Sequence, residues 1–234
     1  MRVAVVIFPG TNCEHDVVHA MQLLGADAEL VFHRQQDLAG FDGVVLPGGF
    51  AHGDYLRTGA IARFSPIMDA VAAMAEAGKP VVGICNGFQV LCEAGLLPGA
   101  LVANRDLAFI CKPVHLRVES NRSALTAAAT VGDVLHIPLN SYEGNFVADE
   151  ATLNELEANG QVLLSYCDAD GAVVEEANPN GSARNIAGVA NRTGNVAGLM
   201  PHPERAVEEL LGSTDGLTLL KSIPAFASLL GAGK

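Results

Sequence analysis

The chain has 234 residues, half of them apolar and 17% charged, with a formal net charge of −12. That length supports one large core without disulfides, and the even mixture of residue types excludes a disordered or low-complexity protein. The acidity argues against nucleic acid, whose backbone is held by Lys and Arg, and no apolar run approaches the roughly eighteen residues that cross a membrane.

Residues 2–8 form an apolar run that reads as a buried first strand. It is too short for the core of a signal peptide and ends in the turn Pro9-Gly10, so a cytoplasmic protein is expected. Asn12 then caps a helix whose apolar positions Val17, Val18, Met21 and Leu24 follow helical spacing, with Gly25 as its stop. Strands are predicted at 28–32 and 43–46, the latter running into Pro47-Gly48-Gly49. Ser65-Pro66 places a capping hydroxyl before a first-turn proline, and a helix with Ile67, Val71 and Met74 on its apolar face runs to Gly78. The next strand is 80–84. Beyond residue 100 shorter alternating segments follow at 114–118, 135–139, 162–166, 186–189 and 196–200, and helices close the chain at 206–211 and 217–230. No repeat or linker divides it. The expected fold is a single α/β domain spanning 1–234, a flavodoxin-like three-layer sandwich whose mostly parallel central sheet gains antiparallel strands in the C-terminal half.

The five cysteines, Cys13, Cys85, Cys92, Cys111 and Cys167, are widely spaced, with no CxxC pair. Neither a disulfide framework nor a metal site is expected. Cys85 differs from the others. It ends the strand Val81-Val82-Gly83-Ile84 and opens a helix at Asn86-Gly87-Phe88-Gln89, giving G-x-C-x-G at a strand-to-helix turn. A nucleophile elbow needs small residues two before and two after the strained position, which Gly83 and Gly87 supply. Such a turn lifts the sulfur to the carboxyl end of the sheet and faces it with a helix N-terminus. For the other cysteines a packing role is expected, Cys13 alone standing undecided because it follows the first strand.

A thiol nucleophile needs a base and a group to orient it. Of seven histidines only His202 follows a strong apolar strand, in Met200-Pro201-His202-Pro203-Glu204-Arg205. Flanking prolines hold the backbone extended, so His202 and Glu204 point the same way. Attack on an amide also creates an oxyanion, which backbone N–H groups stabilise. Asn86 N–H, next after the nucleophile, is one candidate donor, and the glycine-containing loop Pro47-Gly48-Gly49-Phe50 after a neighbouring strand is the candidate source of the second.

Gly83-Ile84-Cys85-Asn86-Gly87-Phe88-Gln89 together with Pro201-His202-Pro203-Glu204-Arg205 resembles the class I, or triad, glutamine amidotransferases. The further segments Gly53-Asp54-Tyr55-Leu56-Arg57 and Gly59-Ala60-Ile61-Ala62-Arg63-Phe64 are similar to the glutaminase subunits of phosphoribosylformylglycinamidine synthases of the small, separately encoded bacterial type. The resemblance implies hydrolysis of L-glutamine, with Cys85 as nucleophile, His202 as acid/base, Glu204 as its orienting partner, Gly49 and Asn86 as oxyanion donors, and Gly48 and Gln89 in the glutamine pocket. It also implies delivery of ammonia to a large ATP-dependent synthetase subunit, with a small accessory subunit aiding assembly. No cofactor is then expected in this chain; ATP and magnesium belong to the partner, in keeping with the lack of a G-x-x-x-x-G-K-[ST] loop. Two places depart from the family pattern: Ala51-His52 stands where Ser-Tyr is common, and Ser141-Tyr142 where His-Gly precedes Glu-Gly. The rival readings are an amidotransferase subunit for another synthetase, a cysteine hydrolase or peptidase of similar architecture, and a binding-only α/β module.

Overall fold

A computed structural model describes the backbone of residues 1–232 and the side chains as far as Leu229. Four short strands, β1 (Arg2–Ile7), β2 (Asp27–Phe32), β3 (Gly43–Leu46) and β4 (Val81–Ile84), pair in parallel. Val3, Val5, Val44 and Leu46 are completely inaccessible, as parallel strands covered on both faces must be. Each such side chain stabilises the fold by roughly 1.5–3 kcal/mol relative to an exposed one. Helix α1 (Glu14–Leu23) connects β1 to β2 and α2 (Ile67–Glu76) connects β3 to β4. The two connections step in opposite directions along the sheet, so right-handed crossovers place these helices on opposite faces.

Helix α3 (Asn86–Glu93) leaves β4 after the single residue Cys85. There follow β5 (Ala100–Val102), β6 (Ile110–Val118), β7 (Val134–Ser141), β8 (Asn145–Val147), α4 (Glu150–Ala158), β9 (Val162–Cys167), β10 (Ile186–Ala190), β11 (Val196–Leu199) and α5 (Gly216–Ala232). The main sheet has the order β2-β1-β3-β4-β11-β10-β9-β6-β7, and β5 pairs with β8 apart from it. From β2 to β11 every pairing is parallel and from β11 to β7 every pairing is antiparallel. This is the α/β architecture expected, with the antiparallel strands in the C-terminal half.

Three local expectations need correction. Asn12 does not cap α1: Cys13 occupies the N-cap, and the Asn12 side chain instead accepts the Cys13 thiol at 3.1 Å. The Ser65 hydroxyl does not cap α2 because it pairs with His33 Nδ1 at 3.1 Å, leaving the Ser65 carbonyl to accept the Met68 amide. Residues 206–211 contain one 3₁₀ turn, Glu209–Leu211, and no α-helix. There Glu208 bridges to Ser213 across Gly212 at φ +93°, a reversal that stops a helix from continuing. The elements β5, β8 and α4 have no counterpart among those predicted.

Candidate active site

Cys85 has φ +52° and ψ −108°, a conformation that costs a residue with a side chain about 1–3 kcal/mol. The surroundings enforce it. Its N–H donates to Leu199 O at 2.8 Å, which continues the β4–β11 ladder, and its carbonyl accepts Gln89 N–H at 3.1 Å, which starts α3. Gly87 lies against the Leu46 carbonyl so closely that a methyl group would overlap it, and a methyl on Gly83 would come within 2.6 Å of the Gly87 backbone. The two glycines thus let helix and strand meet at a distance no side chain permits.

His202 follows β11 through Met200-Pro201 and is reached by an unexpected strand. Although β7 lies five places from β4 in the sheet order, Pro138 O accepts His202 N–H at 2.8 Å and Asn140 O accepts the Cys85 thiol at 3.6 Å. The antiparallel half therefore curls back over the carboxyl end of the parallel half. Within the turn, His202 Nδ1–H donates to Glu204 Oε1 at 2.6 Å, with both side chains at most 2% exposed. Nε2 is buried without a hydrogen-bond partner among the described residues. Burial alone lowers the basicity of this imidazole, but Glu204 and then the Cys85 and Cys13 sulfurs outweigh it, holding the pKa well above 6.5. Gly48 is wedged among these groups: a methyl there would lie 2.7 Å from His202 Cε1, 3.1 Å from Cys13 Sγ and 3.4 Å from Cys85 Cβ.

Cys85, His202, Gly49 and Gln89 line one cavity of about 410 Å³. Gly49 has φ +146°, and a side chain there would strike Thr11 and Asn12, so glycine is required for its amide to border the cavity. Asn86 N–H lies in the first turn of α3, where amides have no acceptor within the helix. The Asn86 side chain accepts Ala51 N–H at 3.0 Å and donates to Gln89 Oε1 at 2.9 Å, and Gln89 Nε2–H donates to Glu143 O at 2.6 Å. Glu204, Gly48, Asn86 and the elbow glycines stand behind the wall rather than on it.

The cavity also exposes residues that the sequence did not single out. Asp54, Asn140, Glu143 and Arg205 line it, as do Ser141 and Tyr142 from one of the two departures, and Cys13, left undecided on sequence because it follows the first strand, borders it too. His52, from the other, is turned away against Phe8 and His33. Arg205 donates to Asp16 Oδ2 and to Cys13 Sγ, both at 3.1 Å. Asp54 and Arg205 stood inside quoted motifs, but only the folded chain brings them to the thiol. The donor atoms of Cys13, His202 and Glu204 lie within 4.8 Å of one another, and two of these three residues are already bonded to each other.

A strained thiol beside a carboxylate-held imidazole is equipped for acyl transfer through a covalent thioester. Comparison with known proteins agrees with that chemistry. The family model for a CobB/CobQ-like glutamine amidotransferase domain matches residues 1–216. Phosphoribosylformylglycinamidine synthase subunit PurQ of Salinibacter ruber is 54% identical over 232 residues, 99% of each chain. Its counterpart of the same name in Aquifex aeolicus is 52% identical over 224 residues, covering 95% of this chain and 99% of that one. Among solved structures, that of PurLQS from Thermotoga maritima superposes with a TM-score of 0.85 at 42% identity, covering 96% of this chain and 98% of its own. Given these matches along nearly the full length, the chain belongs to the glutamine amidotransferase family, among the phosphoribosylformylglycinamidine synthase subunits PurQ.

Proposed function

We propose that this protein is the glutaminase subunit of a phosphoribosylformylglycinamidine synthase, hydrolysing L-glutamine to glutamate and passing ammonia to a large ATP-dependent synthetase subunit. In that complex, formylglycinamide ribonucleotide is converted to formylglycinamidine ribonucleotide in purine biosynthesis. The observation that carries the reading is the strained Cys85 thiol in one cavity with an imidazole whose other nitrogen is bonded to Glu204.

The Cys85 thiol gives its proton to His202 Nε2 as its sulfur adds to the amide carbon of glutamine, and the carbonyl oxygen becomes an oxyanion held by the amides of Gly49 and Asn86. One such donor is worth about 3–4 kcal/mol in the transition state. His202 gives its Nε2 proton to the amide nitrogen, the carbon–nitrogen bond breaks, and ammonia leaves a glutamyl thioester on Cys85. Water then attacks the thioester with His202 as base, and the imidazole passes that proton to the departing sulfur, so that glutamate leaves and the Cys85 thiol is regenerated. Glu204 keeps the ring oriented throughout, and Gln89 and Gly48 shape the pocket.

All 234 residues are assigned to this one amidotransferase domain, supported by the family match over 1–216 and by the continuous core from Val3 to Ile223; residues 233–234 lie outside the described residues. A synthetase partner is supported by the likeness to the PurLQS structure of Thermotoga maritima and by exposed apolar side chains at or beside the cavity mouth, among them Phe50, Tyr55, Leu56 and Phe109. A small accessory subunit belongs to the same assembly. ATP and magnesium are assigned to the synthetase, since no phosphate-cradling glycine loop occurs in this sequence. No described helix is long and apolar enough to cross a membrane, and the purine-synthetic role places the protein in the cytoplasm. The test is mass spectrometry after treatment with a glutamine-like chloroketone. A single adduct on Cys85 is expected, and labelling spread over several cysteines would count against the assignment.

A further inference from the structure

The hydrolysis uses one sulfur, but the fold brings a second beside it. Cys13, at the N-cap of α1, lines the cavity together with Cys85 and His202 and is only 2% exposed. Its sulfur accepts a guanidinium N–H of Arg205 and donates to Asn12 Oδ1, both at 3.1 Å. Donor atoms of Cys13 and His202 lie within 4.8 Å of each other, and the Cys13 and Cys85 sulfurs are both near enough to the imidazole to raise its basicity. Gly48 keeps the three groups facing one another, since a side chain there would press on His202 Cε1, Cys13 Sγ and Cys85 Cβ at once. No motif of fixed spacing marks this set because its members come from three separate segments, the cap of α1, the elbow and the turn after β11.

Two thiolates and an imidazole are a donor set that suits zinc. A histidine that binds zinc through one ring nitrogen normally donates its other N–H to a carboxylate or carbonyl, which fixes the ring. That outer contact already exists, from His202 Nδ1–H to Glu204 Oε1 at 2.6 Å, while Nε2 is buried with no hydrogen-bond partner among the described residues. The Cys85 thiol donates to Asn140 O at 3.6 Å, a long contact that deprotonation removes, which leaves the sulfur to turn towards an ion. We propose that Cys13, Cys85 and His202 Nε2 bind one Zn²⁺, with its fourth position open to the cavity, and that the bound ion reversibly blocks the nucleophile. The two thiol protons pass to solvent as the ion binds. Zinc then holds both the electron pair that attacks the amide and the nitrogen that moves the proton. Binding stands on the donor set alone, whereas its inhibitory effect rests on the glutaminase reading.

The experiment uses the full chain, first stripped with EDTA, and Zn²⁺ or Co²⁺ alone as the probe. One equivalent of Zn²⁺ should suppress iodoacetamide labelling of Cys85 in the wild type while the exposed Cys111 still reacts, and EDTA should restore it. Co²⁺ should give the visible bands of a tetrahedral ion together with near-ultraviolet charge-transfer absorption from two thiolates. In Cys13→Ser that absorption should halve and zinc affinity fall by more than about 100-fold, beyond the about 10- to 100-fold loss expected for Glu204→Gln, which removes only the outer contact. Glutamine hydrolysis by the chain assembled with its synthetase partner should stop at the zinc concentration that protects Cys85 and return with EDTA. Equal zinc affinity in wild type and Cys13→Ser, or wild-type labelling of Cys85 that zinc leaves unchanged, would refute the metal site and leave the glutaminase reading intact. Full hydrolysis with zinc held on Cys85 would uphold the metal site and overturn Cys85 as the nucleophile.

Discussion

The elbow at Cys85 and the turn at His202 contribute to one reaction but are specified in opposite ways. The elbow is a backbone device: two glycines and a strand-to-helix junction force φ to +52° whatever side chain sits there. The histidine turn holds no comparable strain at its key residue. Its geometry comes from side chains and from distant backbone, namely Glu204 at 2.6 Å and the Pro138 carbonyl of β7 at 2.8 Å. A site can therefore have one half legible from local sterics and another half that exists only after long-range folding.

The sharpest way to test this contrast is Cys85→Ala. Activity with glutamine should drop by about 10⁴-fold or more, while synthesis supported by added ammonia continues in the reconstituted complex. Stability should hardly move, because the backbone enforces the bend; Cys85→Gly, which relieves the strain, should be about 1 kcal/mol more stable than Cys85→Ala in urea denaturation. Loss of ammonia-supported synthesis in a folded Cys85→Ala protein would break the division of labour.

Gly87→Ala attacks the elbow from its packing side. Its new methyl meets the Leu46 carbonyl, a backbone atom that cannot swing away, so a loss of about 3 kcal/mol or more is expected. Gly78→Ala provides the control: φ is +76° but the space is open, and the cost should be only about 1 kcal/mol.

Glu204→Gln probes the other half. Glutaminase kcat should fall about 10²-fold through misorientation of the ring. Stability carries a pH signature as well. The groups acting on His202 are Glu204, Cys85 and Cys13, and they raise its folded pKa above the unfolded value of about 6.5. The resulting stabilisation is complete below that value and is lost as pH rises through the folded pKa. The difference in urea midpoint between wild type and Glu204→Gln should accordingly be largest near pH 6 and shrink on the alkaline side. A difference constant with pH would mean that Glu204 contributes packing rather than charge.

The smallest effect belongs to the surface. Arg57 forms a two-pronged pair with Glu93, but its side chain is 61% exposed. Arg57→Ala should change stability by less than about 1 kcal/mol.

Features enforced by near neighbours along the chain are legible in residue order alone. Unbroken apolar runs mark β1, β3 and β4 as buried strands, and the spacing of Gly83, Cys85 and Gly87 already implies a bend that only small flanking residues allow. Local patterns fail where several local solutions compete. Asn12 and Ser65 have side chains suited to capping, but a buried thiol and a buried imidazole claim them; α4 escapes notice because its exposed, glutamate-rich surface leaves only Leu153 and Leu156 as a core face. Nothing short of the folded sheet brings β7, at its far edge, back to touch both Cys85 and His202, or gathers Asp54, Cys13, Glu143 and Arg205 around one cavity. Their proximity depends on the curl of the antiparallel half, a property of the whole sheet that no short stretch of sequence carries.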